Sequence, residues 1–142
     1  MPAHGRSLST SAPPAAVWQL WSDPASWPSW NPNVERMTLD SPFASGATGL
    51  METPGGRQHK VRFADVQTGR SFRLETAVLP LTGFSFQCEV VPSAGGSTIS
   101  QSLTMSGPLA FLFSLLAGER IAVTFEPLLK GLAQRAEATA TS

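Results

Sequence analysis

Few side chains in this sequence could do acid–base or nucleophilic chemistry. The chain has two histidines, one cysteine and no tyrosine. His59 lies within the body of the chain and shares strand parity with Val61 and Phe63. A neutral imidazole facing inward from a strand end could donate a hydrogen bond or act as a general base. The alternative is an exposed histidine beside the Gly55-Gly56 turn. His59 is the one catalytic candidate that this reasoning yields.

The other reactive residue types point away from catalysis. Cys88 falls on the apolar side of its strand, where a cysteine usually behaves as a small buried hydrophobe. Glu75 and Glu89 fall on polar sides, and no two carboxylates have a spacing that forces them together. The sequence contains no Ser-His-Asp order, no phosphate-binding loop and no set of metal ligands. We therefore expect no cofactor and no metal.

Composition limits the class of protein further. The 142 residues predict one domain, 1–142, that is large enough to bury a core. The formal net charge is zero, which argues against a nucleic-acid partner. The longest apolar stretch, 109–117, is about half a membrane span, and the N-terminus lacks a signal-peptide pattern. We expect no integral membrane association and a cytoplasmic location. Self-association as a homodimer is left open.

The hydrophobic periodicity predicts a definite order of elements. A first strand ends near Thr10, and a short helix over 14–22 and a second helical turn follow it. The period then changes to two, and six consecutive strands are predicted over 34–39, 48–53, 58–67, 71–79, 84–91 and 97–105. In the third of these strands, 58–67, the apolar residues do not all fall on one face, and a bulge near Ala64-Asp65 would bring them to the same face. Such short connections indicate an antiparallel sheet of seven strands.

The last third of the chain, 109–138, has the spacing of a long helix. Pro127 lies inside it and removes a backbone hydrogen bond, which predicts a kink near 123–124 or two helical pieces. Gly118 is the alternative position for the break. A single helix must cover the apolar face of a twisted sheet, and this arrangement leaves space for a cavity.

The apolar parity of the strands, together with the aromatic segment 27–31, predicts what lines that cavity. Trp27 and Trp30 could line it or belong to the core, and Asn31 could point into it or bond the backbone of its turn. The basic residues Arg57, Lys60, Arg62, Arg70 and Arg73 are interpreted as the solvated outer face of a hairpin. The predicted ligand-binding residues are Trp27, Trp30, Asn31, His59, Val61, Phe63, Phe72, Leu74, Thr76, Phe84, Phe86, Cys88, Gln101, Leu103, Met105 and Leu116.

One segment is specific enough to suggest a family. VWQLWSDP at 17–24 and WPSWNP at 27–32 resemble the N-terminal signature of the SRPBCC (START/Bet v 1-like) superfamily. The polyketide cyclase/dehydrase and lipid-transport group is the most similar, with GGST at 95–98, GPL at 107–109 and LKGLA at 129–133 also matching its pattern. The resemblance implies the helix-grip fold, of class α+β: a seven-stranded antiparallel sheet curled around a C-terminal helix, with two short helices between strands 1 and 2.

Three functions are compatible with this pattern. The first is the binding of an apolar or amphipathic small molecule, such as a lipid or polyketide, in the cavity. The second, which the resemblance implies, is a cyclase or dehydrase that uses the same cavity. The third is a protein-interaction module, which would have a filled cavity and a large exposed apolar patch. We expect a non-catalytic binding protein, because the sequence offers few buried polar groups for proton transfer.

Overall fold

The computed structural model describes residues 3–79 and 82–141, which contain eleven elements of secondary structure. The elements are, in chain order, β1 (Ala3–Thr10), α1 (Pro14–Trp21), a 3-10 helix (Pro24–Ser29), β2 (Arg36–Leu39), β3 (Thr48–Thr53), β4 (Arg57–Gln67), β5 (Ser71–Leu79), β6 (Thr82–Ser93), β7 (Gly96–Ser106), α2 (Ala110–Val123) and α3 (Phe125–Thr141).

Within the described residues, the seven strands form one antiparallel sheet in the order β1-β7-β6-β5-β4-β3-β2. β1 lies at one edge of the sheet and pairs with β7, the last strand. Every other pair of neighbouring strands is consecutive in sequence. The helices α2 and α3 both contact β1 and β7, and α3 also contacts α1. This is the helix-grip architecture, so the predicted fold class is confirmed.

The predicted bulge in β4 is present. The pairing of β4 with β5 shifts register between Ala64 and Gln67, and Asp65 has a φ of +49°. Asp65 accepts an ion-paired hydrogen bond from Arg73 of β5, which holds the bulged residue on the outer face. The bulge adds one residue to β4, and the two consecutive residues Phe63 and Ala64 are both buried there.

The C-terminal helical segment is broken at Thr124, between α2 and α3. Pro127 lies in the first turn of α3 and has no N–H to bond the carbonyl of Val123, so the break falls where Pro127 predicts it. The carbonyl of Thr124 accepts a hydrogen bond from the Asn33 side chain at 3.1 Å. Gly118 lies inside α2, so the alternative break is wrong.

The orientation of α2 differs from the prediction. Its buried residues are Ala110, Ser114, Gly118 and Ala122, an i, i+4 row of small side chains. A Cβ on Gly118 would overlap with the imidazole of His4 on β1, so the helix lies too close to the sheet for large residues. The large side chains of this helix therefore point to solvent, namely Phe111, Leu112, Leu115 and Leu116, of which Leu116 was predicted to line the cavity.

The core is held mainly by aromatic residues and by α3. Trp21 meets Phe72 edge to face with ring centroids 5.3 Å apart, and Phe63 meets Phe43 at 4.9 Å. The helix α3 buries large apolar residues where α2 buries small ones: Phe125, Leu128, Leu129 and Leu132. No described helix has both the length and the apolar character that a membrane span needs. The α3 helix is thus the firmly packed half of the C-terminal segment.

Candidate ligand-binding site

A cavity of about 400 Å³ lies between the concave face of the sheet and the α2–α3 junction. Strands β3 to β7, the segment 27–34 and both C-terminal helices contribute to its wall. The lining residues are Trp21, Trp27, Trp30, Asn31, Asn33, Val34, Met51, Thr53, Pro54, Arg57, His59, Phe72, Leu74, Thr76, Phe84, Phe86, Cys88, Gln101, Ile121, Thr124, Phe125 and Leu128. The volume lies within the usual range for small-molecule sites.

The mouth of the cavity is marked by the lining residues that are exposed to solvent. Pro54 and Arg57 flank the turn between β3 and β4, and Thr124 is the break between α2 and α3. The other lining residues are buried or half-buried. The helix break and the β3–β4 turn thus both border the opening.

The structure brings eleven of the sixteen predicted binding residues to this wall. They are Trp27, Trp30, Asn31, His59, Phe72, Leu74, Thr76, Phe84, Phe86, Cys88 and Gln101. The strands β5 and β6 supply six of them, because their alternation places every second side chain on the concave face.

The remaining five predicted residues do not line the cavity. Val61, Phe63, Leu103 and Met105 face the same side of the sheet but are buried in the core. Phe63 is covered by Phe43 and Trp27, and β7, which carries Leu103 and Met105, is packed against α2. Leu116 is 63% exposed on the outer face of α2, because the small residues of that helix occupy the side toward the sheet.

Two amides in the wall have their oxygen atoms engaged. Asn31 Oδ1 accepts a hydrogen bond from the backbone N–H of Asn33 at 2.8 Å, the turn contact that sequence analysis offered for it. Gln101 Oε1 accepts the Cys88 thiol at 3.5 Å. Among the described residues, neither amide nitrogen has an acceptor in the protein. Each therefore presents its N–H groups as the unused part of the side chain.

The two indoles in the wall differ in their hydrogen bonding. Trp27 Nε1 donates to the carbonyl of Trp21 at 3.2 Å. Trp30 Nε1 is buried and has no acceptor among the described residues. A buried donor without a partner costs about 1–3 kcal/mol, so native proteins contain few of them. Trp30 is the one lining residue with such an orphaned donor in the described part of the chain.

His59 and Thr53 come together on the wall near the mouth. His59 Nε2 lies 3.5 Å from Thr53 Oγ1, across the β3–β4 pair. His59 is half-buried, so the structure places it at the cavity rather than on the outside of the turn. Thr76, on the next strand, uses its hydroxyl to donate to the Lys60 carbonyl at 2.8 Å. Among the described lining residues, the titratable side chains are those of His59, Cys88 and Arg57.

The thiol of Cys88 is unsuited to act as a nucleophile. Burial raises the pKa of the Cys88 thiol, and no positive group opposes that effect. The thiolate is the reactive form of cysteine, so this environment keeps the residue inert. In the described part of the chain, no three His, Cys, Asp or Glu side chains come together as metal ligands would.

The basic stretch divides between the two faces of the sheet. Arg62 pairs with Glu75 at 3.0 Å, and Arg73 pairs with Glu75 and Asp65, all on the outside. Arg57 instead lines the cavity mouth. The interpretation of the whole stretch as an outer face therefore misses Arg57. Parity could have revealed it, because Arg57 lies two residues before His59 on β4 and therefore shares its face.

A second polar cluster joins β1 to α2. His4 Nε2 lies 2.9 Å from Ser114 Oγ, and His4 Nδ1 lies 3.2 Å from Glu119, which also binds Arg6. The order of groups is that of a Ser-His-acid triad, but Ser114 is only 1% exposed and does not line the cavity. Because a substrate could not reach its hydroxyl, the cluster serves to hold α2 against the sheet.

Several lining residues were missed by sequence analysis. Met51 and Thr53 lie on a strand whose parity the sequence leaves unclear, and Ile121, Phe125 and Leu128 lie on the C-terminal helices. The row of small residues on α2 is the signal that could have found Ile121, because it fixes which side of the helix meets the sheet.

Several solved structures share this fold. The chain superposes on the di-domain ARO/CYC StfQ from the steffimycin biosynthetic pathway with a TM-score of 0.76 and 17% identity, over 99% of this chain and 52% of that one. It therefore spans about half the length of StfQ. It also superposes on norcoclaurine synthase from Thalictrum flavum (TM-score 0.74, 14% identity, 97% and 95% coverage). Ara h 8.0201 gives a TM-score of 0.72 at 13% identity, with 96% and 98% coverage.

These likenesses establish the fold, and the family follows from the sequence. No curated protein sequence matches the chain. The profile of one family, described as polyketide cyclase/dehydrase and lipid transport, matches residues 6–137. The chain therefore belongs to the polyketide cyclase/dehydrase and lipid transport family, a branch of the SRPBCC superfamily with the helix-grip fold.

Proposed function

We propose that this protein binds an apolar or amphipathic small molecule in the cavity and does not change it chemically. The observation that carries the proposal is the cavity itself, about 400 Å³ with a wall of tryptophan, phenylalanine, leucine and methionine side chains. Each 100 Å² of apolar ligand surface removed from water contributes about 2.5 kcal/mol of binding free energy. The family description and the fold likeness to other small-molecule proteins support the same role.

The wall argues for binding over catalysis. None of the lining residues that the structure describes is an aspartate or glutamate, and Cys88 is an inert thiol. The open cavity also argues against a pure interaction module, for which a filled interior is expected. The one feature that favours an interaction module is the exposed apolar face of α2 in the described structure.

A polyketide cyclase or dehydrase is the second candidate. His59 at the cavity wall favours it, since an imidazole could take or deliver a proton there. The family description and the likeness to StfQ add support. In this case a supplied polyketide would leave with altered connectivity or without a molecule of water, and His59→Gln would abolish the change while the polyketide still binds.

Native mass spectrometry of the freshly purified protein tests the first proposal. We expect a bound apolar molecule, and a thermal-shift panel of fatty acids, sterols and flavonoids should contain a stabilising compound. Cys88→Phe places a ring into the cavity and should abolish both effects while the protein stays folded. Leu116→Phe, on the exposed face of α2, is the matched control and should change neither. Absence of any bound or stabilising compound would refute the proposal.

A further inference from the structure

We infer that the ligand of this cavity is an apolar acid, with a carboxylate or phenolate oxygen directed to the hydrogen-bond donors of the wall. The inference rests on the proposed binding function and adds the chemical class of the ligand. It is carried by an orphaned indole N–H, two amides whose oxygens are engaged and one cationic side chain at the mouth.

The first observation is the orphaned indole of Trp30. Its N–H is buried with no acceptor among the described residues, although Trp27 beside it is satisfied. Such a donor requires an explanation, and an acceptor supplied by a bound molecule is the one that its place in the cavity wall favours. Trp30 lies in the wall, but its Nε1 has no surface open to the cavity, so a ligand acceptor reaches it only when neighbouring side chains move aside.

The second observation is the state of two of the three amides in the wall, since the third, Asn33, has its nitrogen engaged with the Thr124 carbonyl. The oxygen of Asn31 is held by the backbone of Asn33, and the oxygen of Gln101 is held by Cys88. What each amide still offers to a ligand is its N–H groups, which seek acceptors. Trp30, Asn31 and Gln101 therefore present the same polarity, and none of them favours a ligand rich in donors.

The third observation is the charge at the mouth. Arg57 is the one fully charged side chain among the described lining residues, and none of them carries a carboxylate. Arg62 of β4 and Arg73 of β5 have their carboxylate partners on the outer face of the sheet. In the described structure Arg57 has no carboxylate within 4.0 Å. An anion at the mouth gains a charge-assisted hydrogen bond there, whereas a cationic ligand is repelled.

Isothermal titration calorimetry with three ligands of the same shape tests the inference. The probes are 2-naphthoate, its neutral amide 2-naphthamide and the cationic 2-naphthylmethylamine. We expect the carboxylate to bind about five- to tenfold more tightly than the amide, and the amine to bind most weakly. Added salt should weaken the binding of the carboxylate and leave that of the amide unchanged.

Three variants assign the effect to residues. Arg57→Gln should remove most of the preference for 2-naphthoate over 2-naphthamide. Arg70→Gln is the matched control, because Arg70 is an exposed arginine outside the cavity wall. Trp30→Phe keeps a ring but removes the N–H, and should weaken both acceptor-bearing probes by about fivefold.

The outcomes separate this inference from the proposed function. Equal affinity for the three probes, or tightest binding of the amine, would overturn the apolar acid and leave the binding function standing. Preference for the carboxylate that survives Arg57→Gln unchanged would overturn the role of Arg57 and, with it, the inference as stated. Failure of all three probes to bind would count against the binding function and the inference together.

Discussion

Gly131→Ala offers a sharp test of how α3 fixes the cavity wall, because two effects of opposite sign meet at this residue. Gly131 lies inside α3, where replacement of glycine by alanine ordinarily stabilises a helix by about 1 kcal/mol. A Cβ at this position, however, would lie closer than 3.0 Å to the carbonyl oxygen of Trp30. That oxygen belongs to the backbone and cannot rotate away.

The magnitude follows from the two terms. Overpacking of a well-packed site costs about 1–3 kcal/mol, and a rigid backbone contact belongs at the upper end of that range. After the helix-propensity gain of about 1 kcal/mol, we expect the free energy of unfolding to fall by about 2 kcal/mol. Since Trp30 lines the cavity, the displaced backbone should also weaken ligand binding.

Urea denaturation followed by tryptophan fluorescence measures the effect, with an unchanged m-value to exclude a change in the unfolded state. Gly118→Ala is the control, because the Cβ there meets the imidazole of His4, a side chain that can move at the cost of its bond to Ser114. Its destabilisation should be smaller. A Gly131→Ala protein as stable as the parent would refute the close contact between α3 and the Trp30 backbone.

Three further predictions concern the thiol, an ion pair and the helices. Burial raises the pKa of the Cys88 thiol, so iodoacetate at pH 8 should alkylate the native protein at least about tenfold more slowly than the urea-unfolded chain; equal rates would contradict this. The hydrogen bond from Arg6, followed by that from His4, lowers the pKa of Glu119 in the folded protein. The contribution of Glu119 to the free energy of unfolding is therefore complete above the ordinary glutamate pKa of about 4.3, and it disappears as the pH falls through the lower pKa of the folded state. The stability difference between the parent and Glu119→Gln should therefore shrink as the pH falls from about 5 to 3, and a constant difference would argue against the ion pair. Amides of α2 should exchange with deuterium faster than those of α3, since α2 buries only small side chains; matching protection would show that α2 is held by more than these contacts.

The sheet could be predicted because its signals are local. The alternation in β5 and β6 is regular, and the predicted limits of β3 and β5 agree with the observed strands. The bulge at Ala64 and the break before Pro127 were also predictable, since each follows from a single change of phase or a single missing N–H. Such features depend on neighbours in sequence rather than on contacts between distant elements.

The site was less predictable because it depends on how distant elements cover one another. Parity correctly places Phe63 and Leu103 on the concave face, but it cannot show that other residues cover them. Leu116 fits an apolar helical stripe, yet the packing of His4 on Gly118 turns the opposite side of α2 toward the sheet. Local chemistry likewise could not place His4, near the terminus, beside Ser114, 110 positions away.

The break at Thr124 divides the C-terminal segment into parts with separate duties. Large side chains of α3 anchor the fold, whereas the exposed Thr124 borders the opening. A larger side chain at Thr124 would narrow the entrance without disturbing the side chains that hold α3 in place. The size of ligand that the entrance admits can therefore change independently of the stability that α3 supplies.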